Sequence, residues 1–188
     1  MEELVVLVDE HNNEIGTMPK LEAHNANTPL HRGFSLFLFN SKGWLLLQQR
    51  ALTKKTWPGV WSNSCCGHPG PGETTEQAID RRLRDELGLA DIHYRLILPD
   101  YRYRVERNGI VENEICPVYD GLSNKTPRPN HQEVAAIKYL PWLDFLNSIK
   151  ATPEAYSEWA VEEAALIDKF TGSQQFREIW HSWYNNNP

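Results

Sequence analysis

A carboxylate occupies a core position of the most regular helix that the sequence predicts. The segment Thr75–Leu87 has helical periodicity, and Gly88 follows it as a residue suited to the left-handed conformation that ends many helices. At 100° per residue, Glu86 falls within the apolar stripe of this helix. The stripe consists of Ile79, Leu83 and Leu87. Because an ionised carboxylate is costly to bury alone, Glu86 must meet a metal ion, another cation or a donor such as Arg82, four residues earlier.

The strand pattern predicts an α+β fold. Apolar and alternating runs bounded by turn residues recur along the chain, and Asn108-Gly109 is typical of a hairpin turn. The predicted strands span residues 4–9, 34–40, 44–50, 64–66, 101–105, 111–119 and 134–139. We expect the first three to share one sheet. Thr152-Pro153 opens a helical carboxyl-terminal region, 152–184, because proline suits the first position of a helix.

Length and charge limit the organisation and the partners of the protein. A chain of 188 residues with 40% hydrophobic content has material for one domain, 1–188, on which the amino-terminal segment 1–30 and the carboxyl-terminal helices pack. The formal net charge of −6 predicts no nucleic-acid partner, and no apolar run is long enough to cross a membrane. Three cysteines without a secretory signal are typical of a reducing compartment. We therefore expect a cytoplasmic monomer or weak dimer that binds a small molecule.

Two glutamates and three histidines form a candidate metal site. Glu112 and Glu114 are two apart on a predicted strand, so both project from one face and repel each other unless a metal ion or a shared proton intervenes. His24, His31 and His68 supply nitrogen donors, and this mixture of nitrogen and oxygen suits a divalent metal. The alternatives are a solvated strand face for the glutamates and structural or surface positions for the histidines.

Two neighbouring cysteines lie on the short strand that precedes the helix. Because adjacent residues of a strand point to opposite faces, Cys66 can face a site while Cys65 faces away from it. His68 follows Cys66 by two residues, and the helix that carries Glu86 comes next. A thiol, an imidazole and a buried carboxylate in one region indicate chemistry more than packing.

The sequence around the helix resembles the Nudix box, the diphosphate-handling motif of a large enzyme family. The matching positions are Gly67, Glu73, Arg81, Leu83, Glu86, Gly88 and Leu89. Two family glutamates are replaced, by Arg82 and Asp85, so the acidic cluster that holds several metal ions in the hydrolases is depleted. The resemblance implies diphosphate binding and argues against diphosphate hydrolysis.

A more specific resemblance, over residues 20–159, is to the type I isopentenyl diphosphate isomerases of the Nudix superfamily. Five motifs occur in the family's order: RALTKK at 50–55, WPGVW at 57–61, SCCGHP at 64–69, YRYR at 101–104 and VENE at 111–114. The resemblance implies a Nudix-like mixed β-sheet core flanked by helices. It also implies interconversion of isopentenyl diphosphate and dimethylallyl diphosphate by proton addition and removal, in isoprenoid precursor biosynthesis.

The resemblance implies the catalytic and metal-binding residues. Cys66 and Glu114 match the two proton-transferring groups, and Tyr103 matches the residue that orients or proton-links Glu114. Glu86 matches the ligand of a Mg²⁺ ion that reaches the diphosphate. A second divalent metal, Mn²⁺, Mg²⁺ or Zn²⁺, matches the positions of His24, His31, His68, Glu112 and Glu114.

The resemblance also implies the substrate-binding residues. The positions that bind the diphosphate are matched by Lys20, Arg50, Lys54 and Arg82. Trp159 matches an aromatic position on the carboxyl-terminal segment, and Trp61 is a second candidate for placing an aromatic face over a carbocation.

Two other functions compete with the isomerase. A Nudix hydrolase of a nucleoside or other diphosphate would use Glu73 and Glu86 to hold metal and would leave Cys66 without a task. A catalytically silent diphosphate-binding module would lack an acid or a base, whereas both Cys66 and Glu114 are present.

Overall fold

The strands form two mixed β-sheets in the computed structural model, which describes residues 3–171. The first sheet contains β1 (Leu4–Val8), β2 (Glu14–Pro19), β3 (His31–Arg32), β9 (Arg102–Arg107) and β10 (Ile110–Ile115), in the order β2-β1-β3-β10-β9. The second contains β4 (Phe34–Phe39), β5 (Trp44–Arg50), β6 (Trp61–Ser62), β7 (Cys65–Gly67), β8 (His93–Leu98), β11 (Val118–Leu122) and β12 (Val134–Pro141). Its order is β12-β5-β4-β11-β8, with β6 beside β5 and β7 beside β4.

Helices lie on both sides of the second sheet, with α2 (Thr75–Leu87) on one side and α3 (Trp142–Ala151) and α4 (Glu158–Thr171) on the other. The short helix α1 (Lys20–Ala23) contacts β1 and β2 of the first sheet, and a 3₁₀ turn at Pro153–Ala155 precedes α4. Helix α2 begins with a capping box in which Thr74 and Gln77 exchange hydrogen bonds. It ends at Gly88, whose φ of 62° is the left-handed conformation that glycine favours. The helix predicted from the sequence is confirmed, as is the α+β fold.

Strand β4 is buried on both faces, and its alternate residues contact different helices. Phe34, Leu36 and Leu38 pack with the apolar stripe of α2, whereas Phe37 and Phe39 belong to the cluster that contains residues of α3 and α4. Burial on both sides explains why this strand is almost continuously apolar in sequence. The second sheet is therefore the middle of three layers.

The two cysteines of β7 follow the same alternation. Cys65 is fully buried in the layer that contains α2, and Cys66 packs against the opposite layer. Their predicted orientation to opposite faces is confirmed.

Two segments pass side by side from the first sheet to the second. Strand β3 continues into β4 through Gly33, and β10 continues into β11 across Cys116-Pro117. The N–H of Gly33 donates to the carbonyl of Ile115 at 2.9 Å, and the N–H of Ser35 donates to the carbonyl of Pro117 at 3.2 Å. The parallel pairs β3–β10 and β4–β11 thus run through the crossing and hold the two sheets in a fixed relation.

Two predictions about the strands are wrong. The region 111–119 forms two strands in different sheets, because Pro117 has no N–H for a ladder and the chain changes sheet at this point. Strand β1 pairs with β2 and β3, so it does not share a sheet with β4 and β5. The Asn108-Gly109 hairpin between β9 and β10 is confirmed.

The carboxyl-terminal helical region begins as predicted, with a proline in the first turn of the 3₁₀ segment followed by α4. Its remainder, 172–184, lies outside the described residues. Among the helices within residues 3–171, none combines the length and the apolar character needed to cross a membrane.

We predict that Leu83→Ala lowers the free energy of unfolding by about 2–5 kcal/mol, because it removes a side chain that is 1% exposed between α2 and the second sheet. Chemical denaturation followed by circular dichroism measures the change. The control is Leu143→Ala on α3, where the side chain is 54% exposed and a change within about 0.5 kcal/mol is expected. Equal effects of the two substitutions would contradict the layered packing.

Candidate active site

Strand register brings three of the predicted site residues into one row. His31 on β3 is paired with Glu114 on β10, and Glu114 is paired with Tyr103 on β9. Glu112 precedes Glu114 by two residues and projects from the same face of β10. The first sheet therefore presents two carboxylates, an imidazole and a phenol on one surface.

Two further histidines reach this surface from other elements. His24 follows α1 as its C-terminal cap, and His68 follows β7 of the second sheet. The centroids of the three imidazole rings lie 5.0 to 5.2 Å apart. The five buried side chains offer ligand atoms that all lie within 4.8 Å of one another. These residues, which we call the His/Glu cluster, are His24, His31, His68, Glu112 and Glu114.

Backbone carbonyls fix the tautomers of two of these histidines. His24 Nδ1 lies 2.7 Å from the carbonyl of Lys20, and His31 Nδ1 lies 2.9 Å from the carbonyl of Pro29. A carbonyl can only accept a hydrogen bond, so each Nδ1 carries the proton and each neutral ring directs the lone pair of Nε2 into the cluster. This is the arrangement in which histidine ligates a metal.

The cluster brings lone pairs into close contact. His24 Nε2 lies 2.9 Å from Glu112 Oε2, and neither atom has a hydrogen-bond partner within the described chain. Two such acceptors repel at this distance unless a cation or a proton lies between them. With three imidazole nitrogens and two carboxylates, the cluster is compatible with a divalent metal ion.

The histidines stabilise the ionised form of Glu114. Its Oε1 lies 2.9 Å from His68 Nε2 and 3.6 Å from His31 Nε2. Burial alone would raise the pKa of Glu114, but His68 and His31 outweigh it and hold the pKa well below the ordinary value. Burial lowers the pKa of His31, but the hydrogen bond and the charge of Glu114 outweigh burial, so the pKa of His31 is raised above its ordinary value. Burial lowers the pKa of His68 to about 3, so its ring is neutral, and the hydrogen bond from its Nε2–H favours a carboxylate at Glu114.

Cys66 lies on the second sheet and faces a polar group on each side. Register pairs Cys66 with Ser35 on β4, and their Sγ and Oγ atoms lie 3.6 Å apart. Cys66 Sγ donates a hydrogen bond of 2.9 Å to Asn63 Oδ1, which also accepts one of 3.3 Å from the indole of Trp159. Burial raises the pKa of Cys66 to about 12, so the group at rest is a thiol.

Aromatic rings adjoin both the thiol and the His/Glu cluster, since Trp159 shares the amide of Asn63 with Cys66 and Tyr103 pairs with Glu114. The ring of Trp159 lies 5.4 Å from that of Trp57 and 5.8 Å from that of Tyr103. Burial, followed by the charges of neighbours that include Glu114 and Cys66, raises the pKa of Tyr103 well above its ordinary value. Tyr103 is therefore a neutral phenol close to both groups. Trp61, the second aromatic candidate, lies instead beneath Lys138, whose Nζ is 4.1 Å from its ring.

Three of the four predicted diphosphate ligands lie near one another and are neutralised by carboxylates. Lys20 pairs with Glu3 at 3.0 Å, Arg82 pairs with Glu133 at 2.9 Å, and Lys54 also pairs with Glu133. Burial lowers the pKa of Lys20, and repulsion from Arg82 and Lys54 lowers it further. The attraction of Glu3 opposes this shift without reversing it. The arrangement is a compact group of cations with its charge partly balanced.

The fourth predicted diphosphate ligand, Arg50, has different contacts. Its guanidinium donates to the carbonyl and the hydroxyl of Thr56, and its central carbon lies 5.8 Å from the ring centroid of Trp159. Arg50 therefore adjoins the aromatic part of the site.

Glu86 is buried, as the helical pattern predicts, and its partner is Arg82. Arg82 Nε donates a hydrogen bond of 2.9 Å to Glu86 Oε1. Of the partners that the sequence allows for this carboxylate, a metal ion, another cation or Arg82, the structure shows Arg82. Glu86 is not part of the His/Glu cluster. Its role as a ligand of Mg²⁺ stays a prediction.

Another pair of the Nudix box, Glu73 and Arg81, supports the loop of His68. Arg81 forms two hydrogen bonds with Glu73, of 2.8 and 2.7 Å, and also donates to the carbonyl of His68 at 3.1 Å. These contacts hold the backbone that carries the histidine.

Sequence reasoning missed three polar residues at the site: Ser35, Asn63 and Glu163. Ser35 lies in an apolar strand, and Asn63 precedes the SCCGHP motif, so neither has a distinctive local pattern. Glu163 does have one, because it lies four residues after Trp159 on the buried stripe of α4. Like Glu86, Glu163 is a carboxylate at a core position of a helix, and this pattern is the sequence signal that marks it.

Known proteins match most of the length of this chain. The NUDIX domain family matches residues 29–160. An isopentenyl-diphosphate Delta-isomerase from Mycolicibacterium vanbaalenii is 46% identical over 170 residues, covering 88% of this chain and 92% of that protein. The enzyme of the same name from Salmonella arizonae is 48% identical over 165 residues, covering 87% of this chain and 91% of that protein.

Solved structures share the fold at lower identity. A protein from Deinococcus radiodurans has a TM-score of 0.70 at 24% identity and covers 87% of this chain and 98% of its own. A MutT protein from Methanosarcina mazei has a TM-score of 0.61 at 18% identity and covers 77% and 96%. The fold alone follows from these two. Since the curated relatives are nearly half identical along most of the sequence, the chain belongs to the Nudix family and, within it, to the isopentenyl-diphosphate Delta-isomerases.

Proposed function

We propose that this chain interconverts isopentenyl diphosphate and dimethylallyl diphosphate, with Cys66 and Glu114 as the two proton-transferring groups. The observation that carries the proposal is a half-buried thiol and a buried carboxylate on different sheets, with the phenol of Tyr103 close to both. The names of the curated relatives support the substrate. A hydrolase would have no use for the thiol.

The reaction needs one proton donor and one proton acceptor. A proton adds to the terminal carbon of the alkene, positive charge develops at the neighbouring tertiary carbon, and a proton leaves the next carbon along the chain. Cys66 and Glu114 exchange these protons from opposite sides of the substrate, and Tyr103 positions Glu114. The resting thiol of Cys66 and the ionised Glu114 are one acid and one base, which supports this pairing.

The site must stabilise a carbocation without offering it a nucleophile. Water would capture the cation, so solvent has to be excluded while positive charge develops. Trp159 is 3% exposed, and its π face suits this task. Trp61 is half-buried beneath Lys138, and this contact favours Trp159 over Trp61 for the role.

The cationic group is proposed to bind the diphosphate of the substrate. Lys20, Lys54 and Arg82 supply charge, and Arg50 links this end of the site to the ring of Trp159. In this proposal Glu86 holds a Mg²⁺ ion that would neutralise the diphosphate and fix its position.

The His/Glu cluster is proposed to hold a second divalent ion, Mn²⁺, Mg²⁺ or Zn²⁺. The lone pair of His24 Nε2 facing Glu112 at 2.9 Å supports this assignment, because a bound cation would remove the repulsion. When bound, such an ion changes the proton affinity of the adjacent Glu114 carboxylate.

The proposal extends to the setting in which the protein works. We propose a cytoplasmic monomer or weak dimer without a nucleic-acid or membrane partner. The three free cysteines, Cys65, Cys66 and Cys116, support a reducing compartment. The net charge of −6 argues against a nucleic-acid partner and is compatible with a small anionic substrate held by a local cationic group.

We predict that Cys66→Ala lowers isomerase turnover at least about 1,000-fold, because it removes one of the two proton-transferring groups. Purified protein and Mg²⁺ are incubated with isopentenyl diphosphate in deuterated water, and NMR follows dimethylallyl diphosphate, deuterium uptake and phosphate release. The control is Cys65→Ala, because Cys65 faces the α2 layer and turnover should persist.

Other outcomes of this experiment identify the competing functions. Release of phosphate without an allylic product, unaffected by Cys66→Ala, would establish a hydrolase. A folded, metal-loaded protein that changes neither the hydrocarbon nor the diphosphate would be a binding module.

We predict that Glu112→Gln weakens binding of a divalent metal at the His/Glu cluster by at least about 10- to 100-fold, because it removes an anionic donor. Titration calorimetry with Mn²⁺ and elemental analysis after dialysis measure the loss. The control is Glu106→Gln, an exposed position on the neighbouring strand β9. Unchanged metal content in Glu112→Gln would refute the assignment even if the isomerase activity is present.

We predict that Gly33→Ala lowers kcat roughly 100-fold, because displacing a catalytic group by about 1 Å has an effect of this size. A Cβ at Gly33 would lie 1.9 Å from Glu114 Oε2, so the carboxylate has to move. The control is Gly70→Ala, where the nearest atom, Glu73 Oε2, would be at 3.5 Å. Steady-state kinetics with thermal unfolding of both variants separates displacement of Glu114 from loss of the fold. Wild-type kcat in Gly33→Ala would contradict the role of Glu114.

A further inference from the structure

Glu163 is a fully buried carboxylic side chain close to Cys66. It lies on the inward stripe of α4, and its exposed fraction is 0%. Other buried members of the stripe are Trp159, Ala160, Ala164 and Ile167. No step of the reaction described above uses Glu163, although its charge would be the first electrostatic influence on Cys66 after burial.

The carboxyl group of Glu163 has no ordinary hydrogen bond. Neither of its oxygens has a hydrogen-bond partner in the described part of the chain. Ser35 is a neighbouring hydroxyl, and it would lower the pKa of this carboxyl if it donated to the ionised form. Burial raises the pKa of Glu163 well above its ordinary value. The nearby charges of Glu114 and Glu162 raise it further, and the hydroxyl of Ser35 lowers it by a smaller amount. None of these neighbours is a cation, so Glu163 is held as a neutral acid with one proton to donate.

The hydroxyl of Ser35 can accept a hydrogen bond from the neutral carboxylic acid of Glu163. The Ser35 hydroxyl already accepts from Cys116 Sγ at 3.7 Å and lies 3.6 Å from Cys66 Sγ. A hydroxyl has one hydrogen and two acceptor lone pairs. When both lone pairs accept, from Glu163 and Cys116, the hydrogen of Ser35 is directed at Cys66. An ionised Glu163 would instead attract this hydrogen to itself.

The second polar neighbour of Cys66 cannot supply a donor. The amide nitrogen of Asn63 donates to the carbonyls of Leu36 and Cys65, at 3.2 and 3.3 Å. Its oxygen faces Cys66 Sγ and the indole N–H of Trp159, which is donor-only and therefore fixes the orientation of the amide. Asn63 accepts the thiol proton, and Ser35 is left to donate to the sulfur.

We propose that Glu163 is a positioning residue for Cys66, which acts by donating a hydrogen bond to Ser35 and so turns the Ser35 hydroxyl toward the sulfur. This inference rests on the proposed role of Cys66 in proton transfer. A donor aimed at the sulfur fixes its position beside the substrate and stabilises negative charge that develops on it during turnover. The chain Glu163–Ser35–Cys66 thus orients one of the two proton-transferring groups from the helical layer behind it.

The first test compares Glu163→Gln with Glu163→Leu. Glutamine is neutral, has nearly the same shape and keeps an N–H donor for Ser35, whereas leucine fills the space without a donor. We expect Glu163→Gln to retain kcat within about threefold and Glu163→Leu to lose kcat roughly 10- to 100-fold with KM changed less than about twofold. Ser35→Ala should show the same loss, and the double variant Ser35→Ala with Glu163→Leu should lose nothing more.

An infrared measurement tests the neutral acid independently of activity. The wild-type spectrum at neutral pH should contain the carbonyl band of a protonated carboxylic acid that is missing in Glu163→Gln. Absence of this band would overturn the proposal, as would wild-type kcat in Glu163→Leu. Equal losses in Glu163→Gln and Glu163→Leu would also overturn it, because they would require an ionised carboxylate.

These outcomes are separate from those that concern the reaction itself. If Cys66→Ala remained active, the proposed function would fail while the infrared band of Glu163 could still be present. If Glu163→Leu does not fold, the infrared band and the kcat of Ser35→Ala decide the question.

Discussion

The parallel pairing of the two crossing segments is the constraint on which the rest of the site depends. Strands β3 and β10 pair in the first sheet, their continuations β4 and β11 pair in the second, and hydrogen bonds from Gly33 and Ser35 run through the junction. Glu114 therefore belongs to one sheet and the strand partner of Cys66 to the other. Two groups on different sheets can approach a small molecule from different sides, which a single sheet face does not allow. The absence of a side chain at Gly33 leaves the junction room for the carboxylate of Glu114.

Buried charge, rather than apolar packing, distinguishes this site from the core around it. The His/Glu cluster brings lone pairs together at a cost in free energy that packing elsewhere must offset, since buried like charges are tolerated only with a compensating cation or proton. The second sheet, packed between α2 and the layer of α3 and α4, supplies the rigid frame. Such a division, a strained polar site on a well-packed scaffold, is typical of enzymes whose stability and activity are in tension.

The sequence predicted the helix α2 and the β9–β10 hairpin, because each has strong local periodicity or a distinctive turn motif, whereas the grouping of the five residues of the His/Glu cluster was implied by the family resemblance. The sequence did not predict that residues 111–119 change sheet, since a strand and its continuation across Pro117 look like one apolar run until the second partner is known. The partners of the cationic residues, Glu3 and Glu133, were equally hidden. Their carboxylates come from segments distant in sequence, and no local pattern encodes such pairings.

Neutralisation of the cationic group by the protein's own carboxylates has a consequence for selectivity. Any anion that binds Lys20, Lys54 and Arg82 competes with Glu3, Glu86 and Glu133, which are tethered and therefore present at high effective concentration. A weakly charged anion gains little by displacing them, whereas a compact group of high charge density, accompanied by its own cation, gains more than it loses. The acidic residues thus set a charge threshold, because an anion displaces them from the cationic group only if it binds the lysines and the arginine more tightly than three tethered carboxylates do.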